Sequence, residues 1–233
     1  MAIKLFERVD SGRGLFAVET ISLIYNALTS LLILLLFPRM DHPGMMLLER
    51  LGIVVLTFVL IYLYQAFPCR LTAFVRMAVQ MSLLAYWYPD TFEFNRLFPN
   101  LDYLFAHAEQ ILFGCQPAVE FSKLCPSIWF SEPFNMGYFF YYPMILVVVV
   151  YYFLNRFEWF EKICFVLVTS FFIYYFVYIM LPVAGPQFYF PAIGMDKVNA
   201  CIFPAIGDYF NTNDYLIPGP GFEHGLFYQL VEA

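Results

Sequence analysis

The sequence predicts an all-α, polytopic transmembrane helical bundle of about five spanning helices plus one interfacial helix. Three observations carry that expectation. Of the 233 residues, 62% are hydrophobic and 13% charged, against about 25% charged in an ordinary soluble domain. The apolar residues gather into runs of about 17–22, the length that crosses about 30 Å of hydrocarbon as a helix. Aromatic residues reach 21%, and Tyr and Phe crowd the ends of the runs, where amphipathic rings suit the headgroup zone.

Residues 1–88 hold the first three spans. Lys4, Arg8 and Arg13 precede an apolar run over 16–37, too long for a signal-peptide core and followed by no small-residue cleavage site, so it reads as a retained helix. Glu19 near its start reads as an interfacial carboxylate, because burial at mid-bilayer would cost several kcal/mol. A turn with Pro43 and Gly44 leads to a second run over 51–67, stopped by Pro68. The third run, 71–88, carries Arg76 and Gln80, four apart and therefore on one helical face, which should turn toward other helices. Arg76 reads as a snorkelling side chain near the span's end.

Residues 89–133 change composition: acidic residues outnumber the two basic ones, and Pro99, Pro117, Pro126 and Pro133 punctuate the segment. It reads as an extracytoplasmic loop. Within it, 101–113 places Leu101, Leu104, Phe105, Ala108, Ile111 and Leu112 at helical spacing, with Asp102, Glu109 and Gln110 off that face. Such a pattern suits a helix lying on the membrane surface. His107 on this helix reads as an exposed histidine. Residues 134–182 supply two further spans, 134–154 and 159–180, which the short link Asn155-Arg156-Phe157-Glu158 makes an antiparallel hairpin. Residues 183–233 read as a second extracytoplasmic loop.

With the N-terminus cytoplasmic, seven basic residues fall inside and five outside, the expected bias for a multi-pass chain. The net charge of -6 is dispersed and gives no support to nucleic-acid binding. Five cysteines occur without a Cys-x-x-Cys or a histidine at ligand spacing, so no metal and no cofactor are expected. Cys115 and Cys125 are able to pair if their loop faces an oxidising compartment; the other reading is free, half-buried thiols.

The chemistry concentrates at the end of the fifth span, residues 181–190, Leu-Pro-Val-Ala-Gly-Pro-Gln-Phe-Tyr-Phe. Pro182 and Pro186 remove backbone donors and Gly185 frees the backbone, so the span stops there at the interface. Together with Leu-Phe-Gly-Cys-Gln-Pro at 112–117, Phe-Ser-Glu at 130–132 and Gly-Tyr-Phe-Phe-Tyr-Tyr at 137–142, this stretch resembles the inositol phosphorylceramide synthase branch of the type 2 phosphatidic acid phosphatase superfamily, over residues 86–233. The resemblance implies a membrane-embedded lipid phosphatase or phospho-headgroup transferase of six helices, acting on a phosphorylated membrane lipid at the extracytoplasmic face. It implies a phosphohistidine intermediate formed without metal, with a second histidine, oriented by a carboxylate, protonating the leaving group.

Two departures matter. Gly185-Pro186-Gln187 stands where a Gly-Pro-Arg form of the first motif is expected, so a neutral amide replaces the cation. Gln187 would then donate to a phosphoryl oxygen without the charge that strengthens such bonds, and Tyr189 would line the same headgroup pocket or serve as an interfacial anchor. The Pro-Ser-x-His of the second motif and the Ser-Arg of the third are absent. The chain therefore reads as the N-terminal part of such an enzyme, and no residue in it is assigned a catalytic role. His224, between Glu223 and Gly225, reads as a solvated loop histidine, and Asp196, Asp208 and Asp214 as loop solubility. The alternative function is a non-enzymatic multi-spanning scaffold or transport component.

Overall fold

The computed structural model describes residues 5–9, 14–124 and 127–212. Among them every regular element is helical, apart from one isolated bridge between Arg8 and Cys69. The helices are α1 (Ala17–Leu36), α2 (Pro43–Ala66), α3 (Arg70–Ser82), α4 (Leu84–Asn95), α5 (Asp102–Phe113), α6 (Pro117–Leu124), α7 (Ile128–Asn155), α8 (Phe157–Met180), α9 (Pro186–Ile193), α10 (Met195–Asn199) and α11 (Tyr209–Thr212). Four stretches are helices long and apolar enough to cross a membrane: Ala17–Arg39, Pro43–Ala66, Glu132–Asn155 and Phe157–Met180. This is the architecture of a multi-pass membrane protein.

The run at 71–88 differs from expectation in one respect: it belongs to two helices, α3 and α4, that meet at Leu83. The junction is a bend rather than a break. Leu83 donates its N–H to the Val79 carbonyl and accepts from Trp87, at 3.0 and 2.9 Å. Downstream, Pro89 inside α4 has no N–H for the carbonyl one turn back.

The helices divide into two compact units, Met1–Glu93 with Val147–Val177, and Phe94–Leu146 with Tyr178–Ala233. In the first unit, backbone pairings fix the direction of α3. Val9 donates to Pro68, Arg70 to Glu7 and Leu71 to Leu5, at 3.0–3.2 Å, which ties residues 5–9 to the α2–α3 turn. The start of α8 joins this end, since the Arg70 guanidinium lies 4.9 Å from the Phe157 ring centroid and the Ala17 N–H donates to Glu161 at 3.0 Å. From there α3 and α4 run along α2 in the opposite sense, until Tyr86 donates to Glu49 at 2.8 Å and Asp90 meets Arg50 at 2.6 Å near the start of α2.

Two charge pairs lie inside this unit, and they correct the expectations for Glu19 and Arg76. Both side chains are buried, at 0% and 1% exposure. The Arg76 fork meets the carboxylate with both arms, Nε to Oε1 at 2.7 Å and Nη2 to Oε2. Nη2 also donates to the Gly14 carbonyl at 3.0 Å. The Phe16 and Tyr64 rings cover the guanidinium at 4.0 and 4.8 Å. Glu19 stands in the first turn of α1 and accepts the Phe16 N–H at 2.8 Å, where the helix dipole favours a negative charge. The penalty that argued for an exposed carboxylate and a snorkelling arginine is offset because each supplies the other's counter-charge.

The second pair, Arg50 and Asp90, is built likewise. Arg50 donates through Nε to Thr29 at 3.3 Å and through Nη1 to the Met46 carbonyl at 3.2 Å, and its guanidinium stacks 5.3 Å from the Trp87 ring. Gln80 and Thr57 join α3 to α2 with a 3.0 Å bond, as the shared face of Arg76 and Gln80 suggests. Around these groups the core is aromatic. Tyr25 stacks on Phe172 at 4.3 Å and meets Trp87 edge-on at 5.2 Å.

Removing one partner of a buried pair leaves an uncompensated charge, at a cost of about 3–5 kcal/mol. Arg76→Leu is therefore expected to lower the unfolding temperature in detergent by about 10 °C or more. Glu19→Leu combined with Arg76→Leu should recover most of that loss, a comparison that thermal unfolding followed by tryptophan fluorescence decides.

Candidate functional site

The second unit is assembled from two loops far apart in sequence, and the joint between them is a carboxylate. Gly185 adopts φ +90°, a conformation that L side chains rarely adopt, and Pro186 begins α9 directly after it. This turn leaves the Ala184 and Gly185 N–H groups pointing away from the helix ladder. Both donate to Asp102, at 2.7 Å to Oδ2 and 2.8 Å to Oδ1. Asn100 completes the clamp by donating its side-chain amide to Oδ2 at 2.5 Å. Two backbone bonds lace the same loops, Leu101 N–H to the Pro182 carbonyl at 2.9 Å and Asn100 N–H to the Gly207 carbonyl at 3.2 Å.

Packing follows from the clamp. Ala106 of α5 meets Tyr189, Phe190 and Ile193 of α9, with Val198 and Phe203 closing a small core. Tyr189 is buried, and its hydroxyl donates to the Pro204 carbonyl at 2.8 Å. Burial, reinforced by the nearby Asp102 carboxylate, pushes its phenol up to about 12, so it stays a neutral donor at physiological pH. Pro191 sits inside α9 and has no N–H for the Gln187 carbonyl. Gly194 ends the helix at φ +92°, and a Cβ there would come within 2.5 Å of the Asp196 carboxylate.

Between α5 and the 183–190 stretch lies a cleft of about 200 Å³, lined by Asp102, Phe105, Ala106, Glu109, Val183, Gly185, Pro186, Tyr189 and Phe190. Its volume is below the about 300–1,000 Å³ that encloses a drug-sized ligand. Its ionisable lining is acidic.

The two residues singled out from sequence part company here. Tyr189 lines the cleft, whereas Gln187, the second residue of α9, is exposed and lies outside the cleft lining. His107 is exposed and sets its ring edge-on against Phe203 at 5.2 Å. Asp102, assigned to the polar face of a surface helix, is instead the buried clamp, and α5 keeps Leu104, Phe105, Ile111 and Leu112 exposed. A linear pattern assigns the face of α5 but does not reveal that residues 184–185 bring two donors to it. Cys125, Asp214, Glu223 and His224, and with them the Cys115–Cys125 pairing, lie outside the described residues. Among the described residues no group of three or more His, Cys, Asp or Glu side chains is placed to hold a metal ion.

Comparison of the chain with protein-family models, curated proteins and solved structures finds no match.

Asp102→Ala strands the Ala184 and Gly185 donors, each unmet bond costing about 1–3 kcal/mol. Hydrogen exchange at residues 184–190 is expected to quicken about tenfold or more, while exchange in the 17–36 helix stays unchanged.

Proposed function

We propose that the chain comes from a membrane-embedded lipid phosphatase or phospho-headgroup transferase akin to inositol phosphorylceramide synthases, with residues 181–190 at the level of the lipid headgroups. One observation supports this above the others. The stretch that carries the resemblance follows the end of a candidate span, Met180, within six residues, and Asp102 holds it as a folded element. A phosphoryl oxygen of a lipid lying in the outer leaflet would then meet Gln187, an exposed amide in the first turn of α9. Tyr189 serves by packing, its hydroxyl being committed to Pro204.

The proposal includes a topology. The joined helices α3 and α4 act as a fifth, bent span, because their Arg76 and Asp90 charges are neutralised inside the first unit. With the N-terminus cytoplasmic, residues 97–127 and 181–212 lie on the extracytoplasmic side. Setting aside the two buried arginines, Lys4, Arg8, Arg13, Arg70, Arg156 and Lys162 then face the cytoplasm against Arg39, Arg96, Lys123 and Lys197 outside.

The purified chain should retain phosphatidic acid over a diacylglycerol with the same acyl chains. Gln187→Ala removes one neutral hydrogen bond and should weaken that retention by up to about tenfold. Equal retention of the two lipids would favour the scaffold reading.

A further inference from the structure

The first unit contains buried polar atoms that its own side chains do not satisfy. Arg76 Nη1, Gln80 Oε1, Tyr25 Oη and Trp87 Nε1 lack a hydrogen-bond partner. These are not surface groups: Arg76 and Gln80 are each 1% exposed, and Trp87 is 0% exposed. Inside a bundle whose outer faces suit hydrocarbon, lipid cannot supply the missing bonds, and each unmet group carries the full cost of its desolvation.

Their placement is ordered. Arg76, Gln80 and Trp87 recur at i, i+4 and i+11, one face of the α3–α4 rod. The atoms fall into two complementary sets. At the first level, Arg76 Nη1 can only donate and Gln80 Oε1 can only accept. At the second, Trp87 Nε1 can only donate, and the Tyr25 ring, whose hydroxyl both donates and accepts, lies edge-on to it with centroids 5.2 Å apart. A molecule that accepts one bond and donates another fits each level, and water is the smallest that does both.

We infer that the interior of the first unit binds structural water at two levels, one molecule bridging Arg76 and Gln80 and another bridging Trp87 and Tyr25. Each water accepts from the cationic or indole N–H and donates to the facing oxygen, in the manner of buried waters that meet otherwise unsatisfied groups. The pairs Glu19–Arg76 and Arg50–Asp90 flank the two levels, so charge pairs and waters together form a polar seam through the bundle.

The test reads water directly. The protein is placed in lipid nanodiscs with ¹⁵N-labelled Trp and Arg, and magnetisation transfer from water protons to side-chain N–H groups is measured. Trp87→Phe identifies the indole signal among the three tryptophans. Strong transfer to Trp87 Nε1 and to the Arg76 guanidinium is expected, despite their burial. In Gln80→Leu the transfer to Arg76 should fall severalfold while that to Trp87 is kept. Absence of transfer to both groups in the unaltered protein overturns the inference, as does an Arg76 signal that Gln80→Leu leaves unchanged.

Discussion

The first unit depends on the pairing of two arginines with two carboxylates away from bulk solvent. An isolated charge in that position would cost several kcal/mol, which hydrophobic packing alone does not offset. Here Glu19 and Arg76 join α1 to α3, and Arg50 and Asp90 join α2 to α4. Each guanidinium also lies over aromatic rings, Phe16 and Tyr64 for one and Trp87 for the other, which favours the flat cation in a buried setting. Against a hydrophobic replacement, the net worth of such pairs in stability is small. Their effect is on register, because a one-turn slip of the joined α3 and α4 would leave all four charges unmatched.

The second unit uses the same physics on a smaller scale. Asp102 is a buried carboxylate whose counter-partners are backbone N–H groups and an amide rather than an arginine. Gly185 is needed because only a backbone at positive φ turns two successive N–H groups toward one side chain just before α9 begins. The clamp positions Tyr189 and Phe190 in the small core and leaves Gln187 exposed. Gln187 thus lies outside the lining of the cleft that Tyr189 and Phe190 help to form.

Much of this was legible in the sequence, and the remainder was hidden for identifiable reasons. Hydropathy marked the four long spans because length and apolarity are local properties. Pro182, Gly185 and Pro186 marked the end of α8 for the same reason. Arg76 and Gln80 at i, i+4 announced an inward face, yet the counter-charge on Glu19 is 57 residues away, and a helix considered alone assigns both to the surface. Asp102 was hidden more deeply. Its partners are 82 and 83 residues downstream and are backbone groups, which carry no side-chain signature. The bend at Leu83 has no proline or glycine to announce it.

The central claim, that paired charges allow α3 and α4 to cross the membrane as one bent span, is tested most directly by the sidedness of the flanking segments. In a cysteine-free background, one cysteine is placed at Phe67, exposed at the end of α2, or restored at the exposed Cys201. Each protein is treated with a membrane-impermeant maleimide in sealed vesicles of known orientation. The account predicts that the two positions label from opposite sides, Cys201 from the extracytoplasmic face and position 67 only from the cytoplasmic one. Labelling of both from the same side would contradict it.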